Sequence, residues 1–195
     1  MSYRRLLRFR AFTMFFVDPG IGVTGYAAYR HTALNGSKCR TLLSSGIIEP
    51  LTSSDDIFLR VRSIAQQVQY IANNISIDRL YVEQPPQTVY GGMRLSKNML
   101  IARAQSVFKT FAVAYGILGI LDSCHLGVVL PIQWEPSKKQ RGGMEIKAWS
   151  LQNANRILQA TGYSKKLATK KDINEADAIN IGNVVLDKLE SGEWK

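Results

Sequence analysis

The sequence predicts an α/β domain built on a mixed sheet, and three features of its patterning point there. The first third carries short β-branched and aromatic runs broken by turn signals, and the middle runs strand, amphipathic helix, strand. The second half is mainly helical, with one more short apolar strand. Runs joined by turns pair antiparallel, whereas a strand–helix–strand unit implies parallel pairing, so the two together give a mixed sheet covered by helices.

Phe15-Phe16-Val17 is an apolar run that stops at Asp18-Pro19-Gly20, a strand ending in a turn. Residues 23–29 and 42–48 supply two more strands and complete an antiparallel meander. Ile57, Val61, Ile64, Val68 and Ile71 recur at spacings of three and four, the period of one helix face. Leu80-Tyr81-Val82 then leads into Glu83 and the pair Pro85-Pro86, a short buried strand ending in a loop. Residues 94–120 form a long helix whose apolar side chains exceed one stripe, which predicts two buried faces. Residues 128–132 make a further strand, 145–160 a helix and 174–189 a last helix, entered through Asp172-x-x-Glu175 at capping-box spacing.

No repeat, low-complexity tract or linker divides the 195 residues, so residues 14–195 read as one domain. Residues 1–13 hold four arginines and no acid and read as a flexible basic arm. A mitochondrial presequence shares that look, and Met14 serves equally well as initiator. The composition, 46% hydrophobic and 21% charged, is that of a globular chain. Lys plus Arg number 25 against 15 acids, a net +10 that favours a polyanionic partner, nucleic acid first, over a merely solubilising or membrane-surface excess. Cys39 and Cys124 are too few for a disulfide framework and lack zinc spacing, which indicates a reducing, cytoplasmic setting with both as packing residues. The longest apolar stretch, residues 111–121, falls short of the roughly 20 residues a bilayer needs, and no membrane association is expected.

Three acids occupy positions that suit phosphodiester chemistry. Asp18 ends the first strand, Glu83 ends a later strand that pairs beside it in the parallel arrangement, and Asp177 sits in the first turns of the last helix. Hard divalent cations take oxygen ligands, and a two-metal site needs several carboxylates converging on one edge. Taken singly each acid has a plain reading as a turn starter, a solvated strand end or a helix-surface acid. Glu83 is the least ordinary, because Leu80 to Val82 imply burial and a buried carboxylate needs partners.

Residues Phe16-Val17-Asp18-Pro19-Gly20-Ile21-Gly22-Val23-Thr24-Gly25-Tyr26 closely resemble the opening motif of RuvC-like Holliday-junction resolvases. Tyr81-Val82-Glu83-Gln84 is similar to that family's second motif, and Glu175-Ala176-Asp177-Ala178 resembles its terminal helix, in the same order over residues 14–189. The resemblance implies an RNase H-like fold, with a five-stranded mixed sheet flanked by helices. It also implies a homodimer and Mg2+- or Mn2+-dependent cutting of two opposed strands at a four-way DNA junction, with Asp18, Glu83 and Asp177 as metal ligands. Compact chains with this motif spelling resemble viral as well as bacterial members, which points to a bacteriophage origin. Two departures stand out: the family carries an acid or His three residues before the last Asp, where this chain has Asn174, and an aromatic after Glu-Gln, where it has Pro85-Pro86 with Tyr90 nearest.

Asn174 lies about 60° from Asp177 around a helix, on the site side, and offers a neutral amide oxygen as a weaker fourth ligand. Asp172 and Glu175 are rotated away and suit the helix cap. Lys138, Lys139 and Arg141, with Gly142-Gly143 and Lys147, form a cationic loop opening a helix, suited to phosphates or to plain solvation. By resemblance Lys147 takes the place of the family's catalytic-site lysine. Lys165 and Lys166 before the last helix suit a DNA arm, and Tyr90, Met93 and Arg94 beside Gly91-Gly92 suit the junction centre. His31, His125, Trp134, Trp149 and Trp194 read as packing or surface residues without a role. Other RNase H-like nucleases of RNA-processing or packaging type share such acids, and a junction-binding protein without catalysis would keep the basic patches. An actin- or sugar-kinase-type fold also opens on an Asp and a Gly-rich turn, but needs about twice this length.

Overall fold

The structure, a computed structural model, describes residues 10–34, 37–84, 97–121 and 124–193. Five strands form one sheet in the order β3-β2-β1-β4-β5. They are β1 (Arg10–Asp18), β2 (Thr24–Leu34), β3 (Ser37–Ile48), β4 (Arg79–Glu83) and β5 (His125–Val129). β1 pairs antiparallel with β2 and β2 with β3, while β4 joins β1 and β5 joins β4 in parallel. This is the five-stranded mixed sheet expected from the sequence.

Two helical layers cover it. The helices α1 (Ile57–Ile75) and α2 (Lys97–Ile120) lie on one face, and α3 (Pro131–Trp134), α4 (Ile146–Ala160) and α5 (Ile173–Ser191) on the other. Because β1 is central, alternate side chains feed opposite cores: Phe15 and Val17 pack with Ile64, Val68, Val113 and Ile117, whereas Met14 and Phe16 pack with Leu158, Ile179 and Ile181. Each such large side chain, fully removed from water, contributes about 1.5–3 kcal/mol. α1 begins at Asp56, whose carboxylate accepts from Phe58 N (2.7 Å) and Leu59 N (3.3 Å), and it buries the stripe Ile64, Ala65, Val68 and Ala72.

Four expectations are corrected. β1 runs back to Arg10, so residues 10–13 belong to the sheet rather than to an arm, with Arg79 lying over the Phe12 ring at 4.7 Å. β5 ends at Val129 rather than at residue 132, because Pro131 takes the first position of α3, where a missing N–H costs nothing. Asp172 does not cap α5: its Oδ2 accepts from Ala168 N (2.9 Å) and Thr169 N (2.8 Å), closing the 3-10 turn Lys170–Asp172 before that helix. Cys39 is exposed rather than packed, while Cys124 joins the α1/α2 core.

α2 also departs from two buried faces. Val113, Ala114 and Ile117 pack inward, but residues 101–106 are exposed and Phe108 and Tyr115 keep 60% and 62% of their surface in water. Tyr115 and Phe111 line a crevice with Val128 of the edge strand β5, so an apolar surface runs from helix to sheet edge. Among the described residues no helix is long and apolar enough to cross a membrane.

Candidate active site

Parallel pairing of β1 with β4 sets Val17 opposite Val82, so the residues that follow, Asp18 and Glu83, leave adjacent strands at the same end of the sheet. The β1–β2 turn is closed by the buried Thr24, whose Oγ1 donates to Gly20 O (2.8 Å) and accepts from Gly20 N (3.2 Å). Gly20 of this turn and Gly25 at the start of β2 let α5 approach. A Cβ on Gly25 would lie 1.9 Å from Asn174 O, and one on Gly20 would lie 2.9 Å from Asn174 Nδ2. The start of α5, and with it Asp177, is thereby seated against the end of β1.

These carboxylates sit half-buried and close enough to perturb one another. Asp18 is pushed well above the ordinary carboxylate range, by burial first and then by the charges of Glu83 and Asp177. Glu83 is raised by burial to about 7, against hydrogen bonds from Asp18 and from the Trp134 indole, Nε1 to Oε1 2.7 Å. Each of Asp18 and Glu83 therefore bears on the other's ionisation. Burial raises Asp177 to about 6, opposed by the Ser150 hydroxyl, which donates to Oδ1, and by Lys147. Glu135, a fourth acid, is raised by burial and adds its charge to both Glu83 and Asp177.

Asp18, Glu83, Glu135 and Asn174 line an open cleft of about 550 Å3, with Ser106, Val107 and Thr110 of α2 on its wall. Among the described residues, no three acidic, His or Cys side chains already converge as an occupied metal site requires. The donor set nevertheless fits a hard divalent cation: its atoms are carboxylate oxygens, and their mutual repulsion in a half-buried cleft is what such a cation relieves.

The chain superposes on Thermus thermophilus RuvC with a TM-score of 0.56, over 92% of this chain and 96% of that one, at 16% identity. The fold is that of RuvC. A second T. thermophilus RuvC structure, in complex with a Holliday junction substrate, gives a TM-score of 0.54 at 16% identity, covering 92% of this chain and 96% of that one. The fowlpox virus resolvase in complex with its substrate Holliday junction DNA gives 0.52 at 15% identity, covering 91% of this chain and 98% of that one. Neither a protein-family model nor a curated protein matches the sequence.

Within this RuvC fold the predicted site residues separate into groups. Asp18 and Glu83 share the cleft, Asp177 lies outside its lining but near enough to act on both, and Lys147, exposed in the first turn of α4, is near enough to act on Asp177. Asn174 lines the cleft, but its Nδ2 donates to Val23 O at 2.6 Å, which leaves only Oδ1 for a ligand role. Lys138, Lys139 and Lys166 are exposed. Arg141 is turned onto its own loop, with Nε 3.1 Å from Pro136 O and a second donor on Met144 O. Lys165 Nζ lies 2.6 Å from Oε2 of Glu175, which is fully buried and also accepts from Ser45 Oγ at 2.8 Å. Glu175 thus anchors α5 to β3 and the 165 loop instead of closing a capping box. Tyr90 and Arg94 lie outside the described residues.

Sequence reasoning passed over three contributors. Trp134, read as packing alone, is buried and also holds Glu83. Ser150 and Asn180 are buried polar residues joined by Asn180 Nδ2 to Ser150 Oγ (2.8 Å), and Asn153 Nδ2 adds a bond to Asn180 Oδ1 (2.8 Å). Their only sequence signal is a polar i, i+3 pair on each of two helices, Ser150/Asn153 and Asp177/Asn180.

Proposed function

We propose that this chain is a Mg2+- or Mn2+-dependent endonuclease that resolves four-way DNA junctions by paired cuts across a homodimer. The observation that carries the reading is that Asp18 and Glu83, from adjacent strands, line one open cleft, while Asp177, from a third element, lies close enough to bear on the ionisation of both. The likeness in fold to RuvC and to the fowlpox resolvase supports the substrate class.

Asp18, Glu83 and Asp177 would hold the cations, with Asn174 Oδ1 as a neutral fourth ligand. Divalent ions there supply Lewis-acid activation of the attacking water and charge neutralisation at the departing oxygen. The chain's own groups prepare that chemistry. Burial holds Asp18 and Glu83 above the ordinary carboxylate range, so a cation that takes them as anionic ligands would displace protons on binding. Trp134 and Ser150 fix the ligand rotamers from behind, the arrangement that tunes metal sites generally. Lys147 is placed to balance charge on the phosphate, and Lys138, Lys139 and Lys166 are free to follow the DNA backbone. The exposed α2 surface with Phe108 and Tyr115 suits a second copy, and two sites are what paired cutting needs.

The test is incubation with labelled four-way junction, duplex, flap and RNA–DNA hybrid, with and without Mg2+ or Mn2+. Metal-dependent, symmetric cuts confined to the junction are expected; preference for the hybrid would move the chain to an RNA-processing role, and binding without cutting would make it a junction binder. Phe108→Asp is expected to give folded monomers by light scattering that nick without pairing their cuts. A dimeric Phe108→Asp protein would place the interface elsewhere.

A further inference from the structure

We propose that Glu135 is a ligand carboxylate of the cation site, supplying from the loop after α3 the negative charge that the neutral Asn174 lacks. The inference rests on the metallonuclease reading above and adds a residue that none of the three motifs contains. Glu135 lines the same cleft as Asp18, Glu83 and Asn174. Its backbone is anchored at that rim, with N 2.8 Å from Pro131 O, and its neighbour Trp134 is buried with the indole on Glu83. A fixed backbone with a four-bond side chain delivers a carboxylate to the cleft without holding it rigidly there.

The other acids of the proposed site are already held. Asp18 and Glu83 bind each other, Trp134 holds Glu83 and Ser150 holds Asp177. Among the described residues no hydrogen bond or ion pair engages the Glu135 carboxylate. The positive charge acting on it is that of Arg141, whose guanidinium donates to the Pro136 and Met144 carbonyls. Asn174 cannot take the same part, because its amide nitrogen is committed to Val23 O and it carries no charge. A hard divalent ion discriminates strongly by the number of anionic oxygens offered, so a fourth carboxylate has a direct consequence for affinity.

Calorimetric titration of MnCl2 into the full chain, without DNA, tests this on the parent and on Glu135→Gln and Glu135→Asp. Glu135→Gln is expected to weaken Mn2+ binding roughly tenfold and Glu135→Asp to recover part of the loss. A Glu135→Gln isotherm that overlays a Mn2+-binding parent overturns the assignment and leaves the metallonuclease reading standing. The same overlay with a lowered denaturation midpoint also overturns it, making Glu135 a loop support through Arg141. A parent that takes up no Mn2+ defeats both readings together.

Discussion

Glu175 and Asp177 lie two residues apart in the first turns of α5, so their side chains leave the helix roughly 160° apart and enter different surroundings. Glu175 is 0% exposed, yet both its oxygens are used, one by Ser45 and one by the Lys165 ammonium. Asp177 keeps partial contact with solvent; its charge acts on Asp18 and Glu83 and that of Glu135 acts on it, against one lysine and one hydroxyl. A fully buried acid with a matched cation is structural, whereas a half-buried acid among acids is under a strain that only a cation or a proton relieves. Depth of burial alone would have chosen the wrong residue.

The largest effect expected from this contrast is on catalysis. Asp177→Asn removes one anionic ligand and is predicted to lower the cutting rate at least roughly a thousandfold, about 4 kcal/mol of transition-state stabilisation, while junction binding in EDTA holds. Asp18→Asn and Glu83→Gln should match it. A variant that still cuts at a tenth of the parent rate would remove its residue from the site. Lys165→Ala is the mirror experiment, leaving the Glu175 carboxylate buried without its counter-charge. Denaturant titration should show a loss of about 3 kcal/mol, tempered by water reaching a half-exposed lysine site, with the metal dependence of cutting unchanged. An unaltered midpoint would mean that the Lys165 contact adds nothing to the stability of the fold.

The sequence made the sheet legible because its evidence is local: apolar runs, turn residues and the helical period name the elements, and the motifs name the three acids. What it could not show depends on long-range packing. Trp134 reads as an apolar residue until β4 and α3 are placed together, and Ser150 has no reason to be noticed until α4 lies against α5. The Asp172/Glu175 spacing misled for the same cause. Local pattern offered a capping box, but Lys165 and Ser45, ten and 130 residues away in sequence, claimed Glu175. Arg10–Thr13 misled in reverse, because arginine content hid the alternation that pairs this stretch with β2.

The titration of the cluster sharpens the contrast next. Glu83, at about 7, and Asp177, at about 6, are both raised in the folded chain, so folding favours their protonated forms. Their contribution to stability is therefore complete below the ordinary carboxylate range, near pH 4, and is lost as pH rises through about 6 and 7. In EDTA the unfolding free energy should fall by roughly 2–3 kcal/mol between pH 5 and 8, and Mg2+ should restore part of it at the alkaline end. Glu83→Gln should flatten that slope, and Lys165→Ala should not. A parent profile that is level or rises over this range would show that burial does not hold these acids above the ordinary carboxylate range.

The smallest effect belongs to Asn174, where a hydrogen bond to the β1–β2 turn weighs against what its place in the sequence suggests. Three residues before Asp177, it stands where an added carboxylate would seem to strengthen the cation site. Its Nδ2, however, donates to Val23 O at 2.6 Å, and that bond ties the β1–β2 turn to α5. Asn174→Asp replaces the donor with an acceptor, so an ionised side chain sets oxygen against carbonyl oxygen beside acids that already repel one another. The variant should lose about 1–2 kcal/mol of stability in EDTA, the cost of one broken, partly buried hydrogen bond. Its Mn2+ half-saturation should be no better than the parent's, since the gain of a charge is offset by a displaced turn carrying Asp18. Asn174→Ala should lose a similar amount without the pH dependence, and its Mn2+ half-saturation should rise with the loss of the Oδ1 ligand. If Asn174→Asp instead binds Mn2+ more tightly at unchanged stability, the amide is free to leave Val23, and position 174 is an open ligand site that this chain fills with a neutral group.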